Sequence, residues 1–290
     1  MISDQSKNDE QIAFWNGPRG EEWVKEQEAM DRALEPFGRA ALERAEPRAG
    51  EHAIDVGCGC GATTLALAAA VGPSGGVVGV DVSAPMLARA RERARGLAHV
   101  TFVEGDAAAH AFERRADLVF SRFGVMFFAD PAAAFANLRG ALSPRGRAAF
   151  VCWRKLADNP WLGVPLAAAK RIVPPLEPPP PADAPGPLAF ADPDRVRAIL
   201  ERAGFVEAAI APFDHRMPLG DGRGLDAAVE HAITIGPTAR LIAVANPDAA
   251  TLARVRREVR EALAPHADAS GVSFPAGAWI VTARASAGHV

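Results

Sequence analysis

The 290-residue sequence contains no tyrosine and only three cysteines. Without tyrosine, no phenol is available as a catalytic acid. Three cysteines without disulfide-like spacing are typical of proteins from a reducing compartment. No apolar run approaches the ~18 residues of a membrane span, and the polar segment 1–11 lacks the apolar stretch of a secretory signal. The sequence therefore predicts a cytoplasmic protein without a membrane span.

Acidic and basic residues nearly balance, with 35 Asp and Glu against 32 Lys and Arg, so the formal net charge is only −3. A protein that binds nucleic acid usually carries a basic face, so no nucleic-acid partner is expected. Hydrophobic residues make up 49% and charged residues 23% of the chain, which is ordinary for a globular protein. The length fits one large α/β domain with insertions or a lid, and both a monomer and a homodimer remain possible.

A glycine-rich stretch, H-A-I-D-V-G-C-G-C-G at residues 52–61, is the most distinctive feature. A short apolar strand pattern breaks into Gly57, Gly59 and Gly61, and a helical pattern follows from residue 62. Glycines adopt backbone angles that are closed to other residues and let a ligand approach the main chain. Because the next helix begins with free N–H groups, the turn suits an anionic or carboxylate-bearing nucleotide-like ligand.

Three acidic residues lie at or near the carboxyl ends of the first three predicted strands, which meet at one edge of a parallel sheet. Asp55 lies inside the first strand, Asp81 ends the second 20 residues after Gly61, and Asp106 follows the third. Open α/β sheets bind ligands at the carboxyl ends of their strands. A carboxylate in the position of Asp81 can accept hydrogen bonds from both hydroxyls of a ribose.

Four ordered motifs carry a resemblance to a known family: D-V-G-C-G-C-G at 55–61, G-V-D-V-S-x-x-M-L at 79–87, E-G-D-A at 104–107 and a strand at 118–123. Over about residues 50–155 the chain resembles class I S-adenosylmethionine (SAM) dependent methyltransferases, notably the ubiquinone/menaquinone-biosynthesis-like small-molecule group (methyltransferase type 11/25). The resemblance implies an α/β fold: a Rossmann-like seven-stranded, mostly parallel sheet with an antiparallel last strand, helices on both faces and helical lid insertions.

The resemblance also implies SAM as the cofactor. The three glycines would pass under its methionine part, Asp81 would hold the ribose, Val82 and Met86 would line the adenine, and Asp106 would bond the exocyclic amine. Two alternatives stay open: Met86 as a core residue and Asp106 as a helix cap. The expected cofactor residues are Asp55, Gly57, Gly59, Gly61, Asp81, Val82, Met86, Gly105, Asp106, Ala107, Ser121 and Phe123.

An apolar segment at 123–128, just past the fourth strand, predicts a small and largely apolar acceptor molecule. Tryptophans before the first strand and at the start of a later helix would cover the same place, although the N-terminal pair could equally pack on the sheet alone. The expected substrate residues are Trp15, Trp23, Met126, Phe127 and Trp161. The atom that is methylated is not determined by these residues.

No catalytic base is identified from the sequence. The seven histidines show no ligand or dyad spacing, and His110, His215 and His231 are only weak candidates. No metal site is expected, because Cys58 and Cys60 are too close for the usual structural zinc pair and no second pair follows. Both are interpreted as small turn residues.

The remaining pattern predicts how the chain is divided. Helices are expected at 21–34 and 36–45, separated near Pro36, and Ser83 is expected to cap a helix that starts near Pro85. Strand six is expected at 205–211 and the final strand at 279–283. The expected segments are a helical cap (1–48), a SAM-binding core (49–155), a lid insertion (156–190), a core helix and strand six (191–219), a helical lid insertion (220–267), and the final strand with a tail (268–290).

Two other functions remain as alternatives. Gly57-x-Gly59-x-x-Ala62 also fits the dinucleotide fingerprint, which would indicate an NAD-linked oxidoreductase. A non-catalytic SAM-binding protein would keep the same turn without chemistry. Asp55 before the glycines, Asp106 after strand three and the antiparallel last strand favour a methyltransferase.

Overall fold

The computed structural model describes residues 4–176, 181 and 183–286, and within them one mixed β-sheet. Its strands are β1 (His52–Val56), β2 (Gly76–Asp81), β3 (Val100–Glu104), β4 (Ala116–Arg122), β5 (Leu142–Trp153), β6 (Phe205–Leu219), β7 (Ala267–Asp268) and β8 (Gly271–Ala285). The strand order is β3-β2-β1-β4-β5-β8-β6, and the two-residue β7 pairs with β8.

The five neighbouring strands β3, β2, β1, β4 and β5 are parallel to one another. Strand β8 lies between β5 and β6 and runs antiparallel to both. The prediction of a seven-stranded, mostly parallel sheet with an antiparallel last strand is therefore confirmed, with β7 as a short addition. In this arrangement the strands β1 to β4 end side by side, and the loops that follow them meet at one edge.

The helices are α1 (Asp4–Asn16), α2 (Pro18–Lys25), α3 (Gln27–Ala45), α4 (Ala62–Val71), α5 (Ala84–Arg93), α6 (Pro131–Ala141), α7 (Pro160–Lys170), α8 (Pro193–Arg202), α9 (Leu225–Thr234), α10 (Pro237–Ala245) and α11 (Ala249–Leu263). No helix within the described residues is long and apolar enough to cross a lipid bilayer.

Helices cover both faces of the sheet. On β5, Phe150 packs against Phe135 of α6, whereas Trp153 packs against Phe37 of α3. Residues an odd number apart in a strand point to opposite faces, so α3 and α6 lie on opposite sides. The main core fills the space between these helices and the sheet.

Helix α3 continues through Pro36, so the predicted break at this residue is wrong. A proline inside a helix removes one backbone hydrogen bond and crowds the preceding turn. Here Leu34, Phe37 and Ala41 are buried against the sheet, and this burial offsets the lost bond.

The antiparallel pair of strands β6 and β8 is much longer than predicted. Trp153 at the end of β5 pairs with Ala278, but the pairing of β8 with β6 continues to Val272 and Leu219. The extension therefore projects past the carboxyl ends of the parallel strands. Helices α7, α9 and α11 pack on it around a second apolar core, which contains Val255, Val259, Leu263 and Phe274. Part of the predicted insertion 156–190, residues 177–180 and 182, lies outside the described residues.

Candidate functional site

The glycine turn after β1 has a conformation that other residues rarely adopt. Gly57, Gly59 and Gly61 have φ angles of 64°, 53° and 83°. A Cβ on Gly57 would lie 2.8 Å from the Cα of Gly124, and a Cβ on Gly61 would lie 3.1 Å from the Cβ of Ala90. The turn is thus bare main chain that leads directly into the N-terminus of α4.

The carboxylate of Asp81 lies against this turn. Its Oδ2 accepts a 2.7 Å hydrogen bond from the Gly59 N–H, and its Oδ1 accepts a 2.9 Å bond from the Ser83 N–H. Burial raises the pKa of Asp81 above its ordinary value. Each carboxylate oxygen has a second lone pair, so the group keeps capacity for a further donor.

The expected cofactor residues that follow β2 and β3 gather beside Asp81. The sulfur of Met86 lies 3.7 Å from the position of a Cβ on Gly59, and the Gly105 N–H donates to the Asp81 carbonyl. The carboxylate of Asp106 accepts from the Ala108 N–H at 2.9 Å. Ala107 is buried in the same loop. The sheet therefore brings together the glycine turn and the ends of β2 and β3.

Asp55 is fully buried under the turn. Its Oδ2 accepts hydrogen bonds from the hydroxyls of Thr63 and Thr64 at 2.7 and 2.6 Å, whereas its Oδ1 has no partner among the described residues. Burial raises its pKa to about 6, and the hydrogen bonds from Thr64 and Thr63, followed by the charge of Arg122, oppose the shift. An unpartnered buried acceptor next to bare glycine main chain and a buried carboxylate fits a ligand that carries amino and hydroxyl donors, as SAM does.

Ser121 joins two strand ends rather than facing an open site. Its hydroxyl donates to the Val56 carbonyl at 2.8 Å and accepts from the Gly124 N–H at 3.1 Å, and the residue is buried. It therefore places Gly124 against Gly57. These two hydroxyl bonds account for the position of the turn.

Phe123 adopts an unusual backbone angle at the end of β4, with φ of 62°. Its ring stacks on Trp153, with centroids 4.0 Å apart and planes within 15°, and both rings meet Phe37 edge to face. Non-glycine residues in this region are strained, and such strain often accompanies functional sites. Sequence reasoning missed Trp153 and Phe37, since neither belongs to a motif.

The expected substrate residues form two aromatic groups near the end of β4. Trp15 meets Trp23 and Phe127 edge to face, at 5.8 and 5.5 Å between centroids. Trp161 meets Trp153 at 5.2 Å and thereby joins the group that contains Phe123. Met126 is buried, and its sulfur accepts from the Trp153 N–H at 3.4 Å.

The three candidate histidines do not come together. His110 lies beside Gly105 after β3, which is one edge strand of the sheet. His215 lies on β6, the opposite edge strand, against Phe37 and Phe213. His231 on α9 lines a cavity of about 10 Å³, and burial lowers its pKa to about 4. His110 and His215 therefore cannot act as a pair.

The cysteines and the metal-ligating residue types provide no reactive centre. Burial raises the pKa of Cys60 to about 12 and that of Cys58 well above its ordinary value, so both are neutral thiols. Across residues 4–176, 181 and 183–286, no three His, Cys, Asp or Glu side chains lie close enough together to hold a metal ion.

A charged network that the sequence did not indicate holds α3 over the glycine turn. Asp31 forms ion pairs with Arg93 at 2.9 Å and Arg122 at 3.2 Å. Arg93 also donates to the Cys60 carbonyl at 2.6 Å. These residues are far apart in the chain and follow no spacing rule, so only the packing of α3 shows the network.

Comparison with known proteins identifies the central part of the chain. Residues 53–146 match the family model described as "Methyltransferase domain". The chain is 37% identical over 118 residues to an aklanonic acid methyltransferase, DauC, of Streptomyces sp. (strain C5), which is 40% of this chain and 54% of that protein. It is 39% identical over 100 residues to a demethylmenaquinone methyltransferase of Staphylococcus aureus (strain JH9), which is 34% of this chain and 42% of that protein.

The chain spans about half the length of these curated relatives. Among solved structures, a phosphoethanolamine N-methyltransferase 2 of Haemonchus contortus in complex with SAM shares the fold, with a TM-score of 0.51, 19% identity, and coverage of 87% of this chain and 52% of that one. The motif-based resemblance is thereby confirmed, and the part of the chain that carries it, residues 53–146, matches a methyltransferase domain.

Proposed function

We propose that the chain is a SAM-dependent methyltransferase that acts on a small, largely apolar acceptor. One observation carries the proposal: the buried carboxylate of Asp81 is bonded to the Gly59 N–H, inside a turn of three left-handed glycines. The unpartnered Oδ1 of Asp55 lies under the same turn. This is a set of donors and acceptors for an amino acid joined to a nucleoside.

In this proposal the glycine turn and Asp55 hold the methionine part of SAM, and Asp81 holds the ribose. Val82, Met86, Gly105, Asp106 and Ala107 surround the adenine, while Ser121 and Phe123 shape the turn from the side of β4. Bound SAM would supply a methyl group on a positively charged sulfur, which is already activated for transfer.

The chain's own task is then orientation. Holding reacting atoms in line can contribute ~7–11 kcal/mol to catalysis. The rings of Trp15, Phe127, Phe123, Trp153 and Trp161 flank the end of β4, and flat apolar surfaces suit a flat apolar acceptor. Trp23, which contacts Trp15, and Met126, which contacts Trp153, would hold these rings in place.

The curated relatives support a small-molecule acceptor, since their names specify aklanonic acid and demethylmenaquinone. We also propose a cytoplasmic protein without a nucleic-acid partner, active as a monomer or a homodimer. The cap (1–48) and the insertions (156–190 and 220–267) would cover the core (49–155), strand six (191–219) and the final strand (268–290), and exclude water from the reaction.

A dedicated general base is not part of the proposal. His110 and His215 lie on opposite edges of the sheet, and of these two only His215 lies near the proposed acceptor walls, against Phe37. A group with a pKa of about 4, such as His231, is a weak base near neutral pH. Proximity and the fixed position of SAM would therefore carry most of the catalysis.

Two measurements test the proposal. Thermal unfolding with SAM or NAD at rising concentration should show stabilisation by SAM alone, because a ligand that binds the native state raises its stability. Methyl transfer from labelled SAM to a panel of metabolites, with the product mass measured, should then identify the acceptor. Stabilisation by NAD instead would indicate the oxidoreductase, and SAM binding without transfer to any acceptor would indicate a binding protein.

A further inference from the structure

Ser83 occupies the N-cap position of α5, but its hydroxyl does not cap the helix. A serine at this position ordinarily accepts a hydrogen bond from an N–H two or three residues later. Here the hydroxyl donates to the carbonyl oxygen of Trp15 at 2.8 Å. Ser83 therefore occupies the expected N-cap position of α5, but its hydroxyl forms no capping bond. Ser83 is fully buried, so water does not compete for this bond.

The same turn makes further contacts with the N-terminal helices. The Asn16 amide donates to the Val82 carbonyl at 2.7 Å and accepts from the Ala84 N–H at 2.9 Å. A Cβ on Gly20 would clash with the Trp15 carbonyl oxygen and lie 3.0 Å from the Ser83 hydroxyl oxygen, so this packing requires a glycine in α2. We call these contacts of Trp15, Asn16 and Gly20 with residues 82–85 the cap contact.

Ser83 also contacts the residue that the proposed function assigns to the ribose. Its backbone N–H donates to the Asp81 Oδ1 at 2.9 Å, and the Asp81 Oδ2 accepts from Gly59. One buried residue thus binds Asp81 through its amide and the N-terminal helices through its hydroxyl. Movement of the cap and the environment of Asp81 are therefore linked through Ser83.

We propose that Ser83 is a positioning residue whose hydroxyl holds α1 and α2 over Asp81, and that it thereby slows the release of bound SAM. The inference rests on the proposed function. If release requires the cap to lift, the Ser83–Trp15 bond breaks before the ligand leaves and contributes to the barrier. The net strength of one neutral hydrogen bond corresponds to about three- to tenfold in rate.

The test compares variants of the full chain by surface plasmon resonance with SAM and by hydrogen exchange without it. Ser83→Ala should speed SAM dissociation about three- to tenfold and increase exchange in residues 11–25. Asn16→Ala should change both in the same direction but less, since Asn16 is exposed. Ser143→Ala is the matched control, because its hydroxyl bonds Asp117 at the amino ends of β4 and β5, and it should change neither.

A lowered melting temperature of Ser83→Ala with an unchanged SAM dissociation rate would show a structural role only and overturn the inference. Faster exchange in residues 11–25 without faster release would overturn it as well. If Ser83→Ala does not fold, Asn16→Ala decides between the same outcomes. If the wild type does not bind SAM at all, the proposed function fails, whereas the exchange experiment still tests the cap contact.

Discussion

The Phe123 ring lies flat on the indole of Trp153, with centroids 4.0 Å apart, while the Phe123 backbone has a φ of 62°. The stacking and the backbone strain have opposite effects on stability. Phe123 is the last residue before Gly124, which touches the glycine turn. The pair therefore fixes how β4 approaches the proposed cofactor site.

Replacing Phe123 by alanine and by glycine separates these two effects. Phe123→Ala should lower the free energy of unfolding by about 3–5 kcal/mol, as expected for a buried phenylalanine. Phe123→Gly should be more stable than Phe123→Ala by about 1 kcal/mol, because glycine tolerates the left-handed angle. Urea denaturation measures both values, and a glycine variant less stable than the alanine variant would contradict strain at this residue.

Asp81→Ala should weaken SAM binding at least tenfold. The variant loses the carboxylate that would accept the ribose hydroxyls, and a hydrogen bond to a charged group contributes ~1.5–3 kcal/mol. It also leaves the Gly59 N–H without its acceptor, so some loss of stability is expected with retention of the fold. Calorimetry with SAM measures the affinity.

Asp130→Ala, which removes the carboxylate that caps α6, is the control and should bind SAM normally. An unchanged SAM affinity in Asp81→Ala would exclude the ribose role of Asp81.

Asp55→Asn should change the pH dependence of stability. The folded-state pKa is raised from 3.8 to about 6, so the native protein keeps a proton that the unfolded chain loses between about pH 4 and 6. Native stability therefore falls as pH rises through this window, and the buried ionised carboxylate costs about 3 kcal/mol above it.

Asparagine is neutral, and its carbonyl can accept from Thr63 and Thr64. The stability of Asp55→Asn relative to the wild type should therefore rise by about 3 kcal/mol from pH 4 to pH 7 and stay level above that. Urea denaturation of both proteins across this range measures the difference, in which the other titrating groups cancel. A constant difference would mean that Arg122 and the threonines stabilise the charge as well as water does.

Alanine variants of His110, His215 and His231 should each lower kcat by less than about tenfold, since loss of a general base typically costs 10²–10⁴. The measurement uses the acceptor found in the metabolite panel, together with the SAM affinity of each variant. A thousandfold loss at one of them with normal SAM binding would identify a dedicated base.

The local chain determined the centre of the site. Gly57, Gly59 and Gly61 directly follow β1, and Asp81 ends β2, so their meeting follows from neighbouring parallel strands. Asp55 belongs to β1, the strand that the turn directly follows. Strand periodicity and glycine spacing are local properties, which is why the fold and these residues could be predicted.

Other features depended on packing that no local pattern specifies. Pro36 predicted a helix end, but burial of Phe37 against the sheet carried α3 past it. The hydroxyl of Ser83 matched a capping residue in sequence and contacts Trp15 in the structure. In both cases a long-range contact outweighed a local preference.

By itself, the sequence determined the glycine turn and the acids near the strand ends, because each arises from residues close together in the chain. The mixed sheet was implied by the order of the motifs through the family resemblance. Only the tertiary structure decided the stacking of Phe123 on Trp153, the ion pairs of Asp31 with Arg93 and Arg122, and the position of the N-terminal helices over Asp81. These contacts join segments that are distant in sequence, so they exist only where the strands and helices pack against one another.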